Sequence, residues 1–222
     1  MTDPITIKEF YDSVGADDWR VVSDGACAFY RTSSLAEAAT FVQALSRVPG
    51  IDQPGIGIDL RQDGVTVRLL TPADDWYGPS GRDIELARQV SRTAQEQGLA
   101  ADPSAIQSIL VIPGAPDTAA VMPFWRAVLG YEPRIDSPDE DLVDPHDRGP
   151  AFWFEGMKEP RGDGGGAIHI AVWVPPEQAE ARVAAALAAG GHMVRDTFAP
   201  SWWTLADAAG NEADIATTVN RE

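Results

Sequence analysis

The chain has 222 residues, a formal charge of −17 and 44% apolar side chains. Nucleic-acid phosphates and anionic membrane surfaces both demand a basic face, so this balance excludes them as expected partners. The apolar share, with seven Trp and seven Phe, suffices for one large domain or for two of about 100 residues each.

No apolar run approaches the roughly 18–20 residues of a membrane span. The opening MTDPITIKEFYDS is acidic and polar, unlike a secretory signal. The single cysteine, Cys27 in ACAFY, permits no internal disulfide; it fits a cytoplasmic protein with a buried, inert thiol.

In chain order, a short helix is predicted over 5–14, then strands at WRVVSD (19–24) and ACAFYRT (26–32). Ser34 followed by Glu37 has the form of a capping box. Behind it Leu35, Ala38, Val42 and Leu45 repeat at helical spacing. PGIDQPG (49–55) breaks that helix, and two alternating runs, 56–60 and 65–71, flank an Asp63-Gly64 turn. Ser80 with Asp83 opens a helix over 84–97 that turns Ile84, Ala87, Val90 and Ala94 inward. LAADPSA (99–105) is small and polar and reads as a linker.

The pattern then restarts: a strand over 106–112, a helix over 118–129 stopped by Gly130, and strands through 155. It repeats as a strand over 168–174, a helix over 175–189 ended by Gly190-Gly191, and two or three strands to 217. This is an internal duplication of strand–helix–strands. Two such modules predict an α+β domain with helices outside and an open sheet cup inside.

The three histidines, 146, 169 and 192, all lie in this second half. Alternation puts His169, Ala171 and Trp173 on one strand face, with Ile168, Ile170 and Val172 opposite, under the helices. Trp153 and Glu155 share a face, and one of Trp202 and Trp203 must point inward. A cup lined by these tryptophans suits a planar or apolar small molecule, although ordinary sheet–helix packing explains any one of them equally well. His146 in VDPHDRG is expected at the surface, His192 at the helix end, and Gly210-Asn211 in the last turn.

Several segments carry a resemblance. FWRAVLGY (124–131), GAIHIAVWV (166–174) and DAAGNEADI (207–215) resemble the helix end, central strand and closing hairpin of the glyoxalase/bleomycin-resistance/dioxygenase (vicinal oxygen chelate) superfamily. With PAFWFEGMKEP (150–160), they look most like its actinobacterial glyoxalase-like subgroup. The resemblance implies a paired βαβββ domain over 104–222 and one divalent ion (Zn, Mn, Fe or Ni) as cofactor. Its ligand positions fall on Ser108, Glu155, His169 and Asp214. Serine is a poor substitute for the usual histidine, leaving Glu155, His169 and Asp214 as the metal set. The pocket candidates are Ser108, Trp153, Trp173, Trp202 and Trp203.

Residues 1–100 resemble the pterin-4a-carbinolamine dehydratase family in Trp19, ACAFYRT, the 35–45 helix, the hairpin ending in VTVRLLT and GPSGRDIELA. That family's His-His-Pro falls on Asp52-Gln53-Pro54 and its third histidine on Thr71-Pro72, while Asp83 matches its helix aspartate. Without imidazole the acid/base chemistry has no group that titrates near neutral pH. The resemblance therefore implies an inactive α/β sandwich with a degenerate site at Asp52, Gln53, Pro72 and Asp83, and it implies a homodimer.

Three functions stay open: a metal-dependent lyase, isomerase or dioxygenase; a metal-free ligand-binding or resistance-type protein; and a dehydratase homologue with a degenerate site.

Overall fold

The computed structural model describes residues 3–157, 168–206 and 212–220, in which the chain divides into one unit up to Ile106 and another over Gln107–Val219. Gly210 and Asn211 lie outside the described residues. No described helix is long and apolar enough to cross a membrane.

In the first unit, β1 (Trp19–Val22), β2 (Gly25–Arg31), β3 (Gly57–Leu60) and β4 (Gly64–Leu69) form an antiparallel sheet in the order β1-β2-β4-β3. Alternation along β2 and β4 sends Ala26, Ala28, Tyr30, Val65, Val67 and Leu69 into one core. Helices α1 (Ile7–Val14), α2 (Leu35–Leu45) and α3 (Gly81–Glu96) close it with Phe10, Phe41, Leu45, Leu86 and Val90. Leu35, expected on the α2 stripe, is instead 57% exposed. The buried set is Ala38, Phe41 and Leu45, so two of the four expected positions are buried, with Phe41 beside the half-buried Val42 completing the stripe.

The Ser34 box forms only halfway. Ser34 Oγ accepts from Glu37 N at 3.2 Å, but the Glu37 carboxylate turns to Ser33 N and Oγ. The expected linker is docked: Arg31 N donates to Ala100 O and Asp102 N to Phe29 O. It occupies the edge of β2 that β1 leaves free, because β1 pairing stops at Ala28. Two short strands, β5 (Thr71–Ala73) and β6 (Trp76–Gly78), form a separate hairpin before α3.

In the second unit, β7 (Ser108–Ala115), α4 (Thr118–Leu129), β8 (Glu132–Pro133), β9 (Asp141–Val143) and β10 (Ala151–Trp153) form one module. Strand β12 (Ile168–Trp173), α5 (Pro176–Ala188), β13 (His192–Arg195), β14 (Trp202–Ala206) and β15 (Glu212–Ala216) form the other. The sheet order is β13-β14-β15-β12-β7-β10-β9-β8, with β11 (Glu155–Gly156) also on β7. Each first strand lies at the centre with its module's last long strand parallel beside it, and β7 and β12 meet antiparallel. The duplication read in the sequence is thus a two-fold repeat of connection. Asp117 caps α4 through Ala120 N, and Gly130 ends it in the left-handed conformation that glycine adopts without penalty.

One sheet face carries the helices. Met122 of α4 packs with Val111, Leu142, Phe152 and Phe154, and Ala179 and Val183 of α5 pack with Val172, Trp203, Leu205 and Ile215. The seam between those two clusters is partly open. Ile168 and Ile170, expected beneath the helices, are 41% and 36% exposed, because the described parts of α4 and α5 each pack on their own module and only partly cover the β7–β12 junction.

Candidate functional site

Register assigns the opposite face, the one expected to line the cup, residue by residue. His169 pairs with Ile112, Ala171 with both Leu110 and Asp214, and Trp173 with Ser108 and Ala216. Thr204 pairs with Asp214 and Trp202 with Ala216, so Trp202 shares this face. Glu155, opposite Gly114, and Trp153, in phase with it, share it too.

The structure brings His169 and Asp214 together. Neighbouring parallel strands, offset by two residues, place His169 Nε2 3.5 Å from Asp214 Oδ2, with both side chains largely buried. The imidazole pKa is raised, first by its hydrogen bond to Asp214 and then by the negative charge of Asp214, Glu155 and Glu212, against a lowering by burial. Asp214 Oδ1 is buried and accepts no hydrogen bond.

Other candidates fall elsewhere. Ser108 lies four residues along β12 from the His169 pairing, about 13 Å away at strand rise, and cannot share a ligand shell with it. Trp203 packs among Val183, Leu205 and Ile215 on the helix side, so it does not line the cup. Trp202 stacks face to face on Phe198, with centroids 4.3 Å apart, and Arg195 lies over the Phe198 ring. Trp173 is buried and Trp153 half-buried. His146 is exposed beside the Asp144-capped turn, and His192 begins the edge strand β13 opposite Ala206 rather than capping α5. Sequence reasoning missed Glu212; its signal was the Glu212–Asp214 spacing, which puts both carboxylates on one strand face.

The donor set does not fit the implied metal. Among the described residues, no three of His, Cys, Asp and Glu are gathered closely enough to hold an ion. Glu155 reaches His169 through charge only, because β7 stands between their strands. His169 Nε2 faces Asp214 Oδ2. Among the described residues, a site with three protein ligands is not assembled.

A second site lies in the first unit. A pocket of about 360 Å³ is lined by Asp3, Gln53, Pro54, Thr71, Pro72, Ser80 and Arg82. Gly55 sets its geometry: with φ +84 it passes so close to Leu70 that a Cβ would meet the Leu70 carbonyl oxygen at 2.2 Å. That approach lays Gln53-Pro54 beside Thr71-Pro72. Beneath them, fully buried Asp83 Oδ2 accepts from Ser80 N at 2.8 Å, Thr71 Oγ1 at 2.9 Å and Ser80 Oγ at 3.2 Å. This completes a capping box at the start of α3. Arg82 donates to the Pro54 and Leu70 carbonyls and pairs with Asp83. Asp52 is exposed and does not line the pocket, since the turn at 51–55 points it outward; Asp3 and Arg82 were not expected there.

Comparison with known proteins bears on the second unit. Residues 110–216 match the glyoxalase-like domain family. A glyoxalase/bleomycin resistance protein/dioxygenase superfamily member from Vibrio splendidus 12B01 aligns at 18% identity and TM-score 0.32, over 50% of this chain and 99% of its own. No curated protein matches. The glyoxalase-like match covers the strands that carry both His169 and Asp214.

Proposed function

We propose that the glyoxalase-like domain binds a small molecule in its cup without a resident metal. The observation that carries this is the His169–Asp214 pair: the two best ligand candidates bond to each other, and no third donor converges on them among the described residues. Trp153, Trp173 and Trp202 supply the apolar walls that planar ligands favour. The imidazole pKa is raised, chiefly by the hydrogen bond to Asp214. What that pair offers a ligand is a fixed charge and a hydrogen-bonding edge, not a Lewis acid.

The test is tryptophan fluorescence against a panel of aromatic metabolites and drug-like compounds, before and after exhaustive chelation. The expected outcome is quenching that chelation leaves unchanged. Binding or turnover that disappears with chelator and returns with Zn²⁺, Mn²⁺, Fe²⁺ or Ni²⁺ would instead support the metal-dependent lyase, isomerase or dioxygenase reading.

A second reading concerns the first unit, supported by the pocket that Gln53, Pro54, Thr71 and Pro72 line. These are the segments at which the pterin-4a-carbinolamine dehydratase resemblance locates the family's histidines. With no imidazole in the first 145 residues, the pocket retains a shape for a ligand without a base to dehydrate it. Calorimetry with a reduced pterin, alongside a dehydratase assay, is expected to give binding without turnover. No heat of binding removes this second reading.

A further inference from the structure

Resting on the reading of the first unit's pocket as a pterin site, we propose that Asp3 is its specificity-determining residue. Its carboxylate receives the two N–H donors on the amino edge of the pterin. Asp3 is contributed by the chain ahead of α1, and the clasp that brings it to the pocket is made of backbone. Gly81 N donates to Asp3 O at 2.9 Å, Ile5 N donates to Pro79 O at 3.3 Å, and Pro4 bridges Ser80. The Asp3 side chain takes no part in those bonds. It lies against the start of α3, where a Cβ on Gly81 would meet Asp3 Oδ2 at 2.9 Å, and it lines the pocket.

The rest of the polar lining has already spent most of its protons. Thr71 Oγ1 and Ser80 Oγ lie 2.7 Å apart, and both are within hydrogen-bond reach of Asp83 Oδ2. Two hydroxyl protons serve these three contacts, so both are consumed there and the hydroxyls keep only lone pairs for a ligand. Arg82 is committed in the same way. Its Nε donates to Asp83 Oδ1, its Nη2 to the Pro54 and Leu70 carbonyls, and its Nη1 to Gln53 Oε1. Acceptors therefore dominate the lining, and the Asp3 carboxylate is the strongest of them. A pterin offers the complement. On its pyrimidine edge a ring N–H stands beside an exocyclic amine, two parallel donors that one carboxylate accepts together. Lumazine has the same two rings with a carbonyl in place of that amine, and it sets an oxygen against Asp3.

Pterin and lumazine, each titrated by calorimetry into the full chain, test the assignment. Pterin is expected to bind about tenfold tighter, the value of one charge-assisted hydrogen bond. Asp3→Ala should bring the two ligands to equal affinity by weakening pterin alone. Asp3→Asn, which keeps the shape and loses the charge, should fall between the two. The backbone clasp survives both substitutions, and circular dichroism confirms the fold. Equal affinities in the unaltered chain, tighter binding of lumazine, or an equal loss of both ligands in Asp3→Ala overturns the role of Asp3 and leaves the pocket reading standing. No heat of binding with either ligand overturns both.

Discussion

Asp83 and Asp214 are both largely buried aspartates, yet their surroundings are opposite. Asp83 Oδ2 accepts from one backbone N–H and two hydroxyls, and its Oδ1 faces Arg82. Asp214 has one imidazole on Oδ2 and nothing on Oδ1. The first is a solved structural problem, a helix start locked to a strand end. The second leaves a buried carboxylate oxygen without a donor. The cores differ in parallel. Among the described residues, the first unit has a continuous cluster around Trp19, Tyr30 and Phe41, and the second carries separate clusters beneath α4 and α5.

The comparison breaks most readily at Trp19, which is fully buried and donates Nε1 to Ser91 Oγ. Trp19→Ala is expected to cost about 3–5 kcal/mol in urea unfolding, the usual range for an aromatic removed from a core. Asp83→Ala should follow at about 2–3 kcal/mol, because it strands the buried donors of Thr71 and Ser80 and removes a cap. A loss under about 0.5 kcal/mol at Asp83 would erase the contrast between the two aspartates.

Next comes the pH dependence. His169 has a folded pKa raised above its unfolded value near 6.5, chiefly by its bond to Asp214, so the folded state favours the imidazolium. Its contribution to stability is fully present below about pH 6.5 and is lost as pH rises through the folded pKa. Urea midpoints measured from pH 5 to pH 9 should show this decline, and Asp214→Asn should flatten it. The smallest effect is expected at the seam. Ile170→Ser should cost about 1 kcal/mol, since a third of the side chain is already exposed and only the covered part loses burial.

Much of the fold was legible because it rests on local chemistry. The Ser80–Asp83 cap and the Gly130 stop are each written in a few adjacent residues and appear where they were read, while the hairpin expected at Asp63-Gly64 turns one residue earlier, over Gln62-Asp63, with Gly64 opening β4. The strand–helix–strands repeat was legible from order alone, since βαβββ modules leave a fixed sequence of periods. What could not be read was what lies between elements. Whether Ile168 and Ile170 are covered depends on where two helices land on a sheet, which alternation does not encode. Likewise Trp202 and Trp203 are adjacent, and only register decides that 202 faces the cup and 203 the helices. Arg82 and Asp3 joined a pocket through chain crossings that local sequence does not record.

The central claim is that His169 and Asp214 serve each other and not a metal. Following the His169 ring signals by NMR through a pH titration of chelator-treated protein, then repeating it with one equivalent of Zn²⁺, tests this directly. The account predicts one titration with a raised pKa, unchanged by the ion. Loss of that titration on adding stoichiometric Zn²⁺, with the ring signals shifted at neutral pH, would contradict it.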